Sequence, residues 1–336
     1  MDGEFELIAH LTRGFSARSD VPLGVGDDCA ILDLNSDKLL LATCDSQVEG
    51  IHFTRQFSSP DQIGRKALAV NLSDIAAMGG EPCYALVSLV LPSDLSRSYL
   101  DTIYTGLCHE AARYSTAVVG GNIASSGKSA ALVIDITLLG TIERGHALTR
   151  SGAHSGDTLM VTGNLGAAAA GLHTLLHPDS RYPRDVQEVL RAAYRTPQPR
   201  MRVGRILSQL GPTIVTAMLD VSDGLSGDLS HLCARSNVGV RVELAHLPLS
   251  SSIRSVAARI SYDPFSWALH GGEDYELLFT VSPGHEQKVI EAVHSATGIS
   301  VTPIGTMLPS EVGMKLLYPD GHEDALEVRS WNHLKS

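Results

Sequence analysis

A helix that is apolar on every side constrains this chain more than any other feature. Ser58-Ser59-Pro60-Asp61 is a helix start signal with proline in the first turn, and it predicts a helix over residues 61 to 78. From Ala67 to Met78 this helix is apolar nearly all round, so it belongs in the interior of the fold. Asp74 lies inside that run, and a buried, unpaired carboxylate is strongly destabilising. The sequence therefore predicts a buried helix that is too apolar to leave a bare charge at Asp74.

The composition is that of an ordinary globular protein of enzyme size. The chain has 336 residues, of which 43% are hydrophobic and 19% charged, and this length is enough for two domains. A formal net charge of -11 and the lack of a long basic tract argue against nucleic acid as a partner. The five cysteines include no C-x-x-C pair, as expected for free thiols in a reducing compartment. Since neither a signal-peptide pattern nor a membrane-length apolar segment is present, we expect a cytoplasmic protein with no membrane partner.

Strand and helix patterns alternate irregularly in both halves of the chain, which favours two α+β domains over one doubly wound sheet. Between Thr141 and Asp157 the sequence becomes polar, contains glycines and loses its strand alternation, so we place the domain boundary there. The predicted domains are residues 1–145 and residues 146–336. The clearest expected strands are 38–44, a fully buried strand at 83–91, 130–139, 158–162 and 271–281.

Two glycine-rich stretches resemble phosphate-binding loops only superficially. Gly121 and Gly127 are separated by five residues, whereas a Walker A loop needs four, and an apolar strand rather than a helix follows. Gly163-Asn-Leu-Gly166 lacks the third glycine and the later acidic residue of a dinucleotide fingerprint. We therefore expect Lys128 to be a solvated loop lysine.

Aspartates recur at the ends of, or within, apolar elements. In one interpretation the carboxylates have structural roles only, and each forms its own helix cap or salt bridge. The sharper interpretation is one shared site for several hard divalent cations, because few lysines or arginines lie nearby in sequence to pair with these groups. Magnesium bound by carboxylates, with no activated nucleophile nearby, points to phosphoryl transfer. The five candidates are Asp28, Asp45 (expected to end its strand), Asp74, Asp220 and Asp223.

Seven short motifs occur in an order that resembles one enzyme family. They are GVGDDCAIL, TCDSQVEGIHF, KALAVNLSDIAAMGGEP, VVGGN, LTRSGAHSGD, DVSDGLSGDL and GGEDYELLF. Together they resemble the thiamine-monophosphate kinase family of the aminoimidazole-ribonucleotide-synthetase-like superfamily, over residues from about 4 to the C-terminus. The resemblance implies a two-domain α+β protein that phosphorylates thiamine monophosphate to thiamine diphosphate with ATP and Mg²⁺. It also implies a homodimer in which the N-terminal domains pair into a barrel-like sheet.

The resemblance also implies roles for individual residues. The five aspartates would hold several Mg²⁺ ions that bridge the phosphates, and Asp27 would be the outer partner of Asp28. Further residues of the metal site would be Thr43, Cys44 and Asn122. The nucleotide would contact Tyr104, Gly121, Asn122, Arg150 and Ser222, the glycine through its backbone amide. The thiamine phosphate would contact His52, and its thiazolium ring would contact Glu273 and Trp331, since a carboxylate and an aromatic face suit a cation.

Two departures from the family pattern leave alternatives open. Asn122 stands where an aspartate is common and offers a neutral carbonyl oxygen, so a metal there should bind more weakly. Cys44 stands where a hydroxyl residue is common, so a Mg²⁺ contact there would use its backbone carbonyl. The alternatives are another ATP-dependent synthetase or ligase of the superfamily, and a non-catalytic nucleotide-binding dimer. A selenophosphate-type activity would require a reactive cysteine near the N-terminus. Cys29 is a poor candidate because it starts a strand.

Overall fold

A computed structural model describes residues 4–15, 18–128, 130–179 and 181–329. The fold is mixed α/β and contains two sheets with helices packed on them. The helices are α1 Glu4–Thr12, α2 Pro60–Ala77, α3 Arg97–Arg113, α4 Ala167–Leu176, α5 Arg184–Arg195, α6 Met201–Leu210, α7 Leu225–Ser236, α8 Ser251–Ile260, α9 Pro264–His270 and α10 Glu286–Thr297. The strands are β1 Ala30–Leu32, β2 Lys38–Val48, β3 Glu81–Pro92, β4 Ala117–Gly127, β5 Val133–Glu143, β6 Thr158–Thr162, β7 Val215–Asp220, β8 Val238–Glu243, β9 Leu277–Val281, β10 Val301–Pro309, β11 Met314–Leu317 and β12 Glu323–Ala325.

Helix α2 begins and is buried as its sequence predicts. Ser59 and Gln62 form a reciprocal capping box, which satisfies backbone N–H groups at the start of the helix. The helix backbone lies directly against α3, since a Cβ at Gly64 would be 1.9 Å from the carbonyl oxygen of Ile103. Apolar side chains of α2 belong to a core that also contains Met160 of β6 and Phe279 of β9. This helix therefore lies between the two sheets and joins their cores.

The first sheet has the strand order β1-β2-β5-β3-β4, with β3 and β4 parallel and the other neighbours antiparallel. The prediction of a fully buried strand at 83–91 was wrong, because side chains of β3 alternate between the core and an outer face on which Tyr84 and Leu86 are exposed. Strand β2 runs on to Val48, so Asp45 lies within the strand rather than at its end. The sheet is open in the described part of the chain, with β1 and β4 at its edges.

Residues 120–122 are typical of a loop because two of the three are glycines, but they belong to strand β4. Gly121 permits this because β4 pairs closely with β3: a Cβ at Gly121 would be 1.7 Å from the carbonyl oxygen of Val87. This glycine therefore allows close strand pairing rather than a turn. Lys128 is exposed, as predicted, and the sequence before it is a strand end rather than the start of a helix.

The second sheet has the order β12-β11-β8-β10-β6-β9-β7. Its strand β9 is shorter than the predicted strand 271–281, because residues 271–276 form an irregular segment. The two sheets are connected between Glu143 at the end of β5 and Thr158 at the start of β6. The predicted boundary at 145/146 lies in this connection and stays a prediction. Across the described residues, every helix is too short or too polar to cross a membrane.

Candidate active site

Three of the five predicted aspartates meet in one cluster. Asp28 precedes β1, Asp74 lies on α2 and Asp220 ends β7, so a loop, the central helix and the second sheet each contribute one carboxylate. One oxygen of each lies within 4.8 Å of the others. Asp28 and Asp220 are buried, and Asp74 is half-buried. Asp28 and Asp220 are 192 positions apart in the sequence. The cluster therefore requires both halves of the chain.

Each carboxylate of the cluster has a neutral or cationic donor. The Thr43 hydroxyl donates to Asp74 at 2.5 Å, and the Ser73 hydroxyl donates to Asp220 at 2.5 Å. The Arg150 guanidinium donates to one oxygen of Asp28 at 2.5 Å. The other oxygen of Asp28 is buried and has no hydrogen-bond partner among the described residues. The predicted neighbours Thr43 and Arg150 thus touch the cluster, and one buried oxygen is left for a ligand.

Negative charge is concentrated here beyond what the protein neutralises. Burial, followed by the charge of Asp28, raises the pKa of Asp27 and the pKa of Asp220 to about 7. Burial, followed by the charge of Asp45, raises the pKa of Asp74 well above its ordinary value. Asp27 accepts from the backbone N–H groups of Asp28 and Arg150, and its role as the outer partner stays a prediction. A set of hard oxygen ligands with an unpaired buried oxygen fits a divalent cation of the Mg²⁺ type.

A cavity of about 800 Å³ contains the remaining two aspartates in its wall. Asp45 of β2 contributes a charge that raises the pKa of both Asp74 and Asp220, so it lies close to the cluster. Its backbone N–H donates to the Asn71 side chain at 3.1 Å. The loop that bears Asp223 is held by buried Asp228, which accepts from the backbone N–H groups of Ser222 and Asp223, each at 3.1 Å. The predicted residues that line this cavity are Cys44, Asp45, His52, Ser222, Asp223 and Glu273.

His52 has an orientation fixed by its neighbours. Its Nδ1 accepts from the backbone N–H of Val48 at 3.0 Å, so in the neutral ring the proton resides on Nε2. Its backbone carbonyl accepts from the Lys66 ammonium at 3.0 Å and from the Tyr194 hydroxyl at 3.3 Å. The cavity wall therefore includes an imidazole of fixed orientation whose Nε2 carries the proton in the neutral ring.

Glu273 lies in the irregular segment that replaces the start of the predicted strand. Glu273 has φ 68° and Tyr275 has φ 50°, which is left-handed backbone that extended strands do not contain. Hydrogen bonds from the two backbone N–H groups to Ser222 and Val221 hold this conformation. Strained backbone of this kind is concentrated at functional sites. The Glu273 carboxylate pairs with Lys66 at 2.6 Å, and the Lys66 ammonium lies 4.2 Å from the centre of the Tyr194 ring.

Cys44 occupies the outer face of β2, beside the cavity. Its thiol donates to Asp135 at 3.3 Å and is exposed. Burial is the main cause that raises the pKa of the Cys44 thiol. The hydrogen bond with Thr137 lowers this pKa, and the hydrogen bond with Asp135 raises it. A thiol with a raised pKa is a poor nucleophile and a poor ligand for a hard cation. A metal contact through the backbone carbonyl of Cys44 stays a prediction.

Three predicted residues of the described chain neither line the cavity nor belong to the aspartate cluster. Gly121 and Asn122 lie on β4, which is three strand spacings, about 14 Å, from β2. Tyr104 of α3 packs, half-buried, against the first core. Trp331 lies outside the described residues, so its predicted role stays a prediction.

Sequence reasoning missed several polar residues that organise the site. Lys66, Asn71 and Ser73 all lie on α2, where each is a buried polar side chain within an apolar run. That mismatch is the signal that could have identified them, as it identified Asp74. Asp228 had no comparable signal, because an acid in the first turn of a helix is ordinary.

Comparison with known proteins gives the family. Residues 26–142 match the model of the AIR synthase related protein N-terminal domain, and residues 154–315 match that of the C-terminal domain. The chain is 36% identical over 333 residues to the thiamine-monophosphate kinase of Bacillus subtilis strain 168, covering 99% of each chain. The chain belongs to the thiamine-monophosphate kinase family. It is also 38% identical over 279 residues to the Aquifex aeolicus member, covering 83% of this chain and 85% of that one.

Solved structures of family members have the same fold. A structure of AaThiL complexed with AMPPCP and TMP superimposes with a TM-score of 0.85 at 34% identity, covering 98% of this chain and 97% of that one. The thiamine-monophosphate kinase of Stenotrophomonas maltophilia K279a gives a TM-score of 0.76 at 33% identity, with coverages of 93% and 96%. Escherichia coli HypE, a hydrogenase maturation protein, shares the fold alone, with a TM-score of 0.72 at 21% identity and coverages of 97% and 98%.

Proposed function

We propose that this protein phosphorylates thiamine monophosphate to thiamine diphosphate, with ATP as phosphoryl donor and Mg²⁺ as the metal. One observation carries the proposal: the cluster of Asp28, Asp74 and Asp220 lies beside a cavity of about 800 Å³ in a chain of this family. The AaThiL complex with AMPPCP and TMP, an ATP analogue together with the acceptor, supports the choice of substrates. A cavity of this size suits a small-molecule substrate.

The chemistry we propose is direct in-line transfer. A terminal phosphate oxygen of thiamine monophosphate forms a bond to the γ-phosphorus of ATP while the bond from that phosphorus to the β–γ bridging oxygen breaks. The bond's electron pair leaves with ADP. The attacking oxygen is already largely anionic near neutral pH, because the second pKa of a phosphate monoester is about 6. Catalysis therefore needs positioning and charge neutralisation rather than an activated nucleophile.

The carboxylates have distinct tasks in this scheme. Asp28, Asp74 and Asp220 would hold Mg²⁺, with Asp45 and Asp223 completing the oxygen ligands from the cavity wall. When bound, Mg²⁺ neutralises the charge that develops on the phosphates. Thr43 and Ser73 orient the carboxylates by the hydrogen bonds described above, and Asp228 orients the loop that bears Asp223 and Ser222. Arg150, adjacent to Asp28, is placed to contribute positive charge toward the nucleotide.

The acceptor would occupy the part of the cavity near His52 and Glu273. The Nε2–H of His52 donates to the phosphate of thiamine monophosphate, and the Glu273 carboxylate, with Trp331, accommodates the thiazolium cation. Lys66 positions both groups, since it binds the His52 carbonyl and the Glu273 carboxylate at once. Its full burial keeps this ammonium in place.

We further propose that the N-terminal unit, residues 1–145, pairs with a second copy into a barrel-like sheet, while residues 146–336 form the other unit. The supporting observation is an apolar outer face on β3 and the edge strand β4, where Tyr84, Leu86, Val119 and Ile123 are all exposed. Gly121 and Asn122 lie on the same edge strand, so we assign their nucleotide contact to the paired form.

The experiment that tests the function is product identification. The purified protein is incubated with MgCl₂, ATP and thiamine monophosphate, and the products are separated by chromatography. We expect thiamine diphosphate and ADP to appear in equal amounts and to depend on Mg²⁺. If the protein binds ATP tightly but forms no thiamine diphosphate, it is a nucleotide-binding protein without this activity, and the proposal is refuted.

A further inference from the structure

Gln47 is a polar residue in an otherwise apolar row of the first sheet. On β2 it pairs in register with Ile134 of β5, which pairs with Leu89 of β3, and all three side chains are buried. The Gln47 side chain is only 4% exposed, and its Oε1 has no hydrogen-bond partner among the described residues. Leaving a buried acceptor unpaired is destabilising. An apolar residue of the same length would avoid this cost.

Gln47 also borders the candidate active site. Strand β1 pairs only with Leu40, Leu41 and Ala42 of β2, so the rest of β2 has no strand on that side and forms part of the cavity wall. Gln47 follows Asp45 by two residues, so both side chains point to the same face, about 7 Å apart along the strand. It lines the cavity together with His52 and Tyr194. A side-chain amide with an unpaired oxygen therefore lines the same cavity as Asp45 and His52.

We propose that the Gln47 amide recognises the aminopyrimidine ring of thiamine monophosphate. This inference rests on the proposed function and adds a specificity-determining residue to it. The exocyclic amine donates to Oε1 and the adjacent ring nitrogen accepts from Nε2, the same paired geometry by which glutamine reads the amine and ring nitrogen of adenine. The exocyclic amine is the only N–H donor of thiamine monophosphate. Rotation about the Cγ–Cδ bond brings both amide atoms to face the ring edge.

The adenine ring of ATP presents the same amine and ring nitrogen. The position of Gln47 beside His52, the residue assigned to the acceptor phosphate, favours thiamine monophosphate. The two substrates are distinguished by measuring the KM of each in turn. They are distinguished further by an acceptor fragment, thiazole phosphate, which retains the phosphate and lacks the pyrimidine.

The test uses Gln47→Met, which preserves chain length and removes both hydrogen-bonding atoms. We expect the KM for thiamine monophosphate to rise about tenfold while the KM for ATP and kcat stay unchanged. The inhibition constant of thiazole phosphate should not change. The melting temperature should stay the same or rise, because an unpaired buried acceptor has been removed. Gln287→Met, the same substitution at an exposed position on α10, is the matched control and should change none of these values.

Three results would overturn the assignment. An unchanged KM for thiamine monophosphate makes Gln47 a structural residue only. A raised KM for ATP instead makes it an adenine contact. If the variant also binds thiazole phosphate more weakly, the substitution affects binding of the phosphate or the thiazole rather than the pyrimidine. Wild-type protein provides a fourth, independent test: thiamine monophosphate without its exocyclic amine should bind about tenfold more weakly, and equal binding contradicts the proposal. Absence of wild-type turnover would refute the proposed function instead, so the two failures are distinguishable.

Discussion

The carboxylate cluster should make the metal-free protein less stable as the pH rises. Asp220 is buried, and its pKa is raised from an ordinary 3.8 to about 7. A carboxyl group with a raised pKa in the folded state contributes stability that is present below pH 3.8 and is lost as the pH rises to about 7. Between about pH 5.5 and about pH 7.5 the folded state must release a proton that the unfolded state has already lost. At about 1.4 kcal/mol per pKa unit, the loss from this one group is about 2 kcal/mol.

The perturbation is Asp220→Asn, which keeps an acceptor for the Ser73 hydroxyl but cannot ionise. Urea unfolding is followed by circular dichroism in EDTA at the two pH values for wild type, for the variant and for Asp101→Asn, an exposed aspartate on α3. We expect the variant to lose about 2 kcal/mol less than wild type on going to the higher pH, and the control to behave as wild type. Added Mg²⁺ should stabilise wild type more at the higher pH, since the ion competes with protons for the carboxylates. Equal pH dependence in wild type and Asp220→Asn would refute the reasoning.

Three further results are expected. Asp45→Ala and Asp223→Ala should lose nearly all turnover while size-exclusion chromatography with light scattering still shows a dimer; near-normal turnover at saturating Mg²⁺ would remove them from the metal site. Leu86→Lys should convert the dimer to monomer in the same light-scattering measurement, whereas an unchanged mass would exclude the outer face of β3 as the interface. Lys66→Met leaves Glu273 without its partner and should destabilise the protein by about 3 kcal/mol in urea unfolding. It should also raise the KM for thiamine monophosphate, and a normal KM would show that Lys66 does not position the acceptor site.

Local patterns in the sequence predicted the central helix α2 and the three aspartates that form the cluster. The run from Ala67 to Met78 is apolar on all faces, and that property predicted both the burial of α2 and the need for a partner at Asp74. Because the apolar run contains few other polar residues, the carboxylate could be singled out. Its meeting with Asp28 and Asp220 was predicted only as a hypothesis, since no local pattern encodes contacts over 146 positions.

Errors arose where tertiary contacts outweighed local preference. Gly120 and Gly121 are typical turn residues, yet at Gly121 strand β4 approaches β3 more closely than any side chain would allow. The apolar sequence of β3 is typical of a buried strand. Its outer face, which we propose packs against a second copy of the chain, is as apolar as a protein interior, so the sequence alone does not distinguish the two. Glu273 and Tyr275 have left-handed backbone that no sequence rule for non-glycine residues predicts, because it is held by hydrogen bonds to the loop of Ser222.

The central claim is that the phosphoryl group of ATP is transferred to the phosphate of thiamine monophosphate and not to water. Phosphorus-31 NMR of the protein with MgCl₂, ATP and thiamine monophosphate follows every phosphorus atom in one sample. The account predicts that the thiamine monophosphate signal is replaced by the two coupled signals of thiamine diphosphate, with ADP formed in equal amount. Growth of an orthophosphate signal beside ADP, with the thiamine monophosphate signal unchanged, would contradict it.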